Sequence, residues 1–199
     1  MPGANLLFLT VDLCSLCARP NDPSLAMFVS AALFGDGAAG VVLRADSCRD
    51  APSPRPGSSA RIRAVGEHCW RDSEHIMGWD IKEDGFGVVL SPELPGLMRR
   101  ELRPALDAFL ERAGFRLSDF TGFLFHPGSQ KILETAEDIL GIERARIAHS
   151  WDVLRHYGNM SSVTALFVLR QALEARASGL HLLVAFGPGF SAYFAVAEL

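Results

Sequence analysis

Phe120-Thr121-Gly122-Phe123-Leu124-Phe125-His126-Pro127-Gly128 is the stretch on which the fold turns. Its first six residues are short, mostly apolar and aromatic-rich, which predicts a buried strand. Gly128 then lets the backbone turn, and Ile132, Leu133, Ala136, Ile139 and Leu140 recur at helical spacing. A strand feeding directly into a helix predicts an α/β domain with His126 at the strand's C-terminal tip. Open α/β sheets bind ligands at that tip. Taken alone, His126 reads as a structural histidine satisfied by hydrogen bonds rather than a catalytic one. A second stretch, Gly158-Asn159-Met160-Ser161-Ser162, shifts that balance.

Composition sets the frame. The 199 residues suffice for one domain with a sizeable core, and 49% of them are apolar. A net charge of −4 argues against nucleic acid as a partner. No apolar run reaches membrane-spanning length, and the first residues lack the basic region of a secretory signal. The four cysteines are too sparse for a secreted disulfide framework, so a reducing cytoplasm is the expected location.

Outward from the histidine, the chain alternates strands with helices. Leu6 to Val11 reads as a buried strand, unusual so close to a terminus. Cys14-Ser15-Leu16-Cys17 could suggest redox or zinc chemistry, but the redox form wants the pair opening a helix after a strand, zinc wants a second pair, and Cys48 and Cys69 do not supply one. Small residues beside a pocket are the better reading. Ser24 to Leu33 is helix-compatible, and Gly35-Asp36-Gly37-Ala38-Ala39-Gly40 predicts a tight turn into the strand Val41-Val42-Leu43. No Lys-Ser/Thr follows those glycines, so they are not a phosphate loop. Ser47 to Ser59, rich in proline and serine, predicts a flexible loop (about 47–60). Arg61 to Val65 predicts a half-exposed strand, and residues 79–90 a hairpin about Glu83-Asp84-Gly85. Ser91-Pro92-Glu93 predicts a helix start, with Gly114 as the C-cap, and Arg99, Arg100, Glu101 and Arg103 on its solvated face. Ser150 to Tyr157 predicts a short helix. Met160 to Ala177 predicts a longer one, whose first half is apolar almost all round and needs cover on every side. Leu180 to Phe186 and Tyr193 to Val196 read as adjacent strands joined by Gly187-Pro188-Gly189.

Four glycine-punctuated segments thus recur in order: Leu33-Phe34-Gly35-Asp36-Gly37-Ala38-Ala39, Phe125-His126-Pro127-Gly128, Tyr157-Gly158-Asn159-Met160-Ser161-Ser162 and Phe186-Gly187-Pro188-Gly189. Together they resemble the C-terminal half of the chalcone and stilbene synthases, the type III polyketide synthases. Met77-Gly78-Trp79-Asp80 and Val89-Leu90-Ser91-Pro92-Glu93-Leu94-Pro95 resemble bacterial members. Ketoacyl synthase III enzymes share the first and third segments, but they usually carry His-Gln-Ala-Asn where this chain has His-Pro-Gly.

The resemblance implies a thiolase-like α/β fold, with residues 1–199 forming one αβα unit of a five-layer αβαβα arrangement. It implies acyl transfer by decarboxylative Claisen condensation of malonyl-CoA onto an acyl thioester. The family's catalytic residues are a cysteine, a histidine and an asparagine, and His126 and Asn159 match the last two. It further implies that Cys17, Trp79, Val88, Ser161, Phe186, Gly187 and Pro188 border the substrate. Acyl-CoA and malonyl-CoA serve as substrates, no metal or cofactor is called for, and the assembly is a homodimer. The family's nucleophilic cysteine lies ahead of the strand that Leu6 to Val11 resembles, and neither Cys14 nor Cys17 matches it. The chain therefore resembles half an enzyme, with an N-terminal half as its expected partner. Ser129 replaces the usual second glycine after His-Pro-Gly. Ala18 and Val88 fall where plant members carry entrance phenylalanines, and Trp79 where plant members carry a small residue. A ketoacyl synthase III-like fragment and a non-catalytic thiolase-fold partner subunit are the alternatives.

Overall fold

A computed structural model describes residues 5–19, 21–45, 59–83 and 85–199. The expected flexible loop falls on residues 46–58, outside the described residues apart from its edges. The elements in chain order begin with strand β1 (Asn5–Leu13), helix α1 (Leu25–Leu33), and strands β2 (Asp36–Arg44), β3 (Arg61–Cys69), β4 (Met77–Lys82) and β5 (Gly85–Leu90). Helix α2 (Leu94–Ala113), strand β6 (Gly122–Phe125), helices α3 (Gln130–Leu140), α4 (Ala148–Tyr157) and α5 (Ser162–Glu174), and strands β7 (Leu180–Gly187) and β8 (Ser191–Glu198) complete the chain.

The central sheet has the order β3-β8-β7-β6, with β6 and β7 parallel and the other pairs antiparallel. β6 is short, and all four of its residues are buried, because helices cover both of its faces. Phe123 and Phe125 point to one face, into a core with Leu102, Leu106 and Phe109 of α2 and Leu133 of α3. Leu124 points to the other, into a core with Val153 of α4 and Val163, Val168 and Ala172 of α5. This alternation explains why a continuous apolar run forms a strand here: each face has its own helix layer to fill. β1 and β2 form a separate antiparallel pair that lies against α5, so that helix sits between two sheets. The α/β layering is the one expected.

Several local expectations are corrected. The run Leu6 to Val11 forms a strand but is not buried: Leu7 is 62% and Leu9 66% exposed, and Leu6, Phe8 and Val11 are exposed as well. Among the described residues its sheet partner is β2, and only the Thr10 and Asp12 side is partly covered. Gly35 to Gly40 is not a turn, since β2 already begins at Asp36. The small residues serve close approach instead, and a Cβ on Gly37 would lie 2.9 Å from both Met160 Sδ and Val163 Cγ1. α2 begins at Leu94 with Glu93 as N-cap, Pro95 taking the early proline position, while Ser91 Oγ accepts from Glu93 N at 3.2 Å just outside the helix. α5 begins at Ser162, two residues later than its apolar pattern predicts, and ends at Glu174. Its Val163 is buried, whereas Leu166, Phe167 and Leu169 are only half-buried.

Candidate active site

β6 ends at Phe125, and His126 continues its parallel pairing by donating its backbone N–H to Val184 O at 2.7 Å. Gly128 N then bonds back to His126 O at 2.9 Å, closing a tight turn. Ser129 caps α3 by accepting from Ile132 N through its side chain. His126 is thereby held between a rigid strand end and a capped helix start. Across this turn, Asn159 Nδ2 donates to Gly128 O at 3.1 Å. Asn159 is thereby tied to the turn that follows His126.

The Asn159 turn is itself fixed from three directions. Gly158 ends α4 with φ 70°, and a Cβ there would lie 2.7 Å from Leu33 O, so a glycine is required by both conformation and space. Asn159 forms an isolated parallel bridge with Phe34: its N–H donates to Leu33 O at 2.8 Å, and its carbonyl accepts from Gly35 N at 2.9 Å. Its side-chain Oδ1 accepts from Ser161 N at 2.9 Å. Ser161 has φ 55°, a strained value for a side-chain-bearing residue, at the mouth of α5. No side chain of Ser161 caps that helix. Asp12 does so from β1, its Oδ2 accepting from Ser162 N at 2.9 Å and from Ser162 Oγ, with Thr10 Oγ1 also on that hydroxyl. A carboxylate at a helix N-terminus is electrostatically favoured.

Burial holds His126 well below the usual histidine range, at about 4, with Asp12 opposing part of the shift. His126 as a whole residue is half-buried. It is neutral at physiological pH and carries an N–H it can donate. Cys14 is pushed up to about 11, by burial first and then by Asp12, Cys17 and Asp36. Cys17 is also raised, by burial and Asp36. Neither thiol is an activated nucleophile.

A cavity of about 440 Å³ brings together Cys17, Trp79 and Val88, the residues expected on the substrate's flank, with Ala18, Phe34 and Asp36 among its other walls. Phe34 and Gly35 separate it from Asn159, which bonds to their strand from behind. His126, Asn159, Ser161 and the Phe186-Gly187-Pro188 loop do not line this cavity. Phe186 instead leans on Phe125, the residue before His126, with ring centroids 6.4 Å apart. Trp79, on the β4–β5 hairpin, is 49% exposed and meets Phe86 edge-on. Two positions escaped sequence reasoning. Asp12 caps α5 from 150 residues away, and Asp36 holds the Cys14–Cys17 turn by accepting from Ser15 N and Ser15 Oγ at 2.7 and 2.6 Å. Asp12 leaves no periodic or motif signal, and Asp36 stands within a quoted glycine segment that does not itself reveal its partner.

Comparison with known proteins bears on this arrangement. Residues 63–196 match the family described as chalcone and stilbene synthases, C-terminal domain. The chain is 36% identical over 196 residues to 1,3,6,8-tetrahydroxynaphthalene synthase of Streptomyces peucetius, covering 97% of this chain and 51% of that protein. It is 32% identical to phloroglucinol synthase of Pseudomonas fluorescens, covering 98% of this chain and 54% of that one. Among solved structures it superposes on 1,3,6,8-tetrahydroxynaphthalene synthase of Streptomyces coelicolor, a bacterial type III polyketide synthase, with a TM-score of 0.87 and 28% identity over 99% of this chain and 55% of that one. A polyketide synthase of the brown alga Ectocarpus siliculosus gives 0.88 at 26% identity, covering 99% of this chain and 53% of that one. The chain spans about half the length of the curated relatives it matches. By sequence match and by its thiolase-like fold, this chain belongs to the chalcone and stilbene synthase family, as a C-terminal domain of the type III polyketide synthase kind.

Proposed function

We propose that this chain is the C-terminal half of a malonyl-CoA-condensing acyltransferase, with His126 and Asn159 as its oxyanion pair. The observation that carries the reading is the Asn159–Gly128 hydrogen bond, which ties the asparagine to the histidine's turn. An amide nitrogen has two hydrogens. One goes to Gly128, and the second can go to a substrate oxygen. A neutral His126 supplies another N–H. Loss of carbon dioxide from malonyl-CoA breaks a carbon–carbon bond and leaves the electron pair as an enolate, whose oxygen these two donors hold. The enolate carbon then attacks the carbonyl of an acyl thioester, forms the new carbon–carbon bond and expels a thiolate. Cys17, Trp79 and Val88 would line the growing acyl chain, with Ser161 and the Phe186-Gly187-Pro188 loop about the reacting end.

In this reading the acyl chain is carried by a thiolate of an N-terminal half, in a cytoplasmic homodimer. Neither Cys14 nor Cys17 is electronically suited to carry it. The exposed apolar side chains of β1 and β2, Leu6, Leu7, Leu9 and Val42 among them, form the surface against which that half would pack. Each large apolar side chain so covered contributes about 1.5–3 kcal/mol. The test is co-expression with the N-terminal half of a related synthase, followed by malonyl-CoA turnover. The expected outcome is a soluble complex that releases carbon dioxide and forms product, whereas the chain alone binds a hydrophobic dye and does neither. A monodisperse, dye-negative chain that gains no activity from any such half would sink the proposal.

A further inference from the structure

Ser73 stands outside every motif, yet its side chain is among the few buried polar ones, only 4% exposed. Its hydroxyl lies 2.6 Å from Trp70 O, 3.0 Å from Gly189 O and 2.6 Å from Phe190 N. A hydroxyl has one hydrogen and two lone pairs. It therefore accepts from Phe190 N and donates to one of the two carbonyls, joining segments 116 and 117 residues apart. Trp70 N adds a bond to Phe190 O at 3.0 Å.

The same short turn also fixes the hairpin. Ser73 O accepts from Ile76 N at 3.0 Å, and Ile76 O accepts from Ser91 N at 2.9 Å, so the residues flanking β4 and β5 are clamped to one another beside Ser73. That hairpin carries Trp79 and Val88. On the other side, the Trp70 ring stacks on Phe190 at 5.4 Å and Phe190 on Phe186 at 5.6 Å. Phe186 in turn leans on Phe125, next to His126. One hydroxyl thus sits where the Phe186–Phe190 loop meets the base of the Trp79 hairpin.

We infer that Ser73 is a positioning residue that sets the separation between the Trp79 hairpin and the Phe186–Phe190 loop and so governs the length and shape of the acyl chain the site accepts. The inference rests on the condensing activity proposed above and names a determinant of its specificity. Ser73 touches no reacting atom; it acts through the backbone of Gly189 and Phe190.

The test uses the full chain and three variants. Ser73→Ala removes the acceptor of Phe190 N, and amide exchange at Phe190 should speed by about tenfold or more, while Ser73→Thr, which keeps the hydroxyl, restores slow exchange. If Ser73→Ala fails to fold, Ser73→Cys, similar in size but a weaker acceptor, should give an intermediate rate. In the complex with an N-terminal half, Ser73→Ala should raise KM for a long acyl-CoA starter several-fold more than it lowers kcat, and should shift product lengths. Wild-type exchange at Phe190 in Ser73→Ala overturns the inference. So does an unchanged product distribution alongside faster exchange. A wild-type complex with no turnover would defeat the condensing reading, and the exchange data would still decide whether Ser73 holds the loop.

Discussion

Asn159 Nδ2 meets Gly128 O at 3.1 Å across 31 residues of sequence, and this one bond makes the histidine turn and the asparagine turn a single unit. Asn159 is 5% exposed, so its side chain is as much a strut as a ligand. Asn159→Ala should therefore act twice. Leaving Gly128 O and Ser161 N without their partner costs about 1–3 kcal/mol of stability, which urea denaturation of the chain would measure. Loss of an oxyanion donor should lower malonyl-CoA turnover of the complex by about 10²–10³. A variant that lost stability but kept the full rate would remove Asn159 from the chemistry.

The depressed histidines set an acid limit. His126, His149 and His181 all have lowered values, each chiefly through burial. The unfolded chain takes up protons near pH 6.5, whereas folded His126 does so only near 4, so stability is full above 6.5 and falls as pH drops towards 4. For His126 alone the loss amounts to about 3 kcal/mol. About 2 kcal/mol of that loss should already be present at pH 5, so unfolding midpoints at pH 7.5 and 5 should differ accordingly, and His126→Gln should shrink the difference. An equal slope in that variant would show that His126 ionises as readily in the folded protein as out of it.

Gly158 is predicted to be intolerant of any side chain. A Cβ would meet Leu33 O at 2.7 Å on a backbone of φ 70°. Gly158→Ala should lose about 1–3 kcal/mol, plus the expense of displacing Leu33 from Asn159. Gly78→Ala is the matched comparison, since its Cβ would find ordinary contact at 3.7 Å from Glu74 O. Similar midpoints for the two variants would contradict the steric argument.

The fold was legible wherever a local pattern carried it. Phe123, Leu124 and Phe125 announce a strand covered on both faces, and Gly114 and Gly158 mark helix ends, because these features act over a few residues. The family motifs pointed to His126 and Asn159 because each stands at a strand or helix end punctuated by glycine. Burial of Leu6 to Val11 was misread for a physical reason. An apolar run states that a strand wants cover, not that the same chain provides it. Asp12 and Ser73 left no trace, since their partners lie more than a hundred residues away and any short polar side chain looks alike in sequence.

Cysteine reactivity should follow burial and charge. Among the described cysteines, iodoacetamide at neutral pH should label exposed Cys69 first and Cys14 slowest, because a thiol at about 11 holds almost no thiolate at pH 7. Incubation with acyl-CoA should leave no thioester on Cys14 or Cys17 by mass spectrometry. A stoichiometric adduct on either would make the chain its own acyl carrier and overturn the need for a second thiol.

The clasp between β1 and the mouth of α5 bears on the order in which the molecule folds. Thr10 and Asp12 reach Ser162 over 152 and 150 residues, whereas the β7–β8 hairpin and the α4–α5 pair need only short loops to close. Distant pairs pay more chain entropy before any contact rewards them. The β7–β8 hairpin and the α4–α5 pair are therefore expected to close early, and the β1 contact with α5, like the β3–β8 pairing, late. The same docking brings Leu33 and Gly35 onto Asn159 and Asp12 onto Ser162. The Asn159 turn thus owes its final shape to contacts that close late, made by residues more than a hundred positions earlier in the chain.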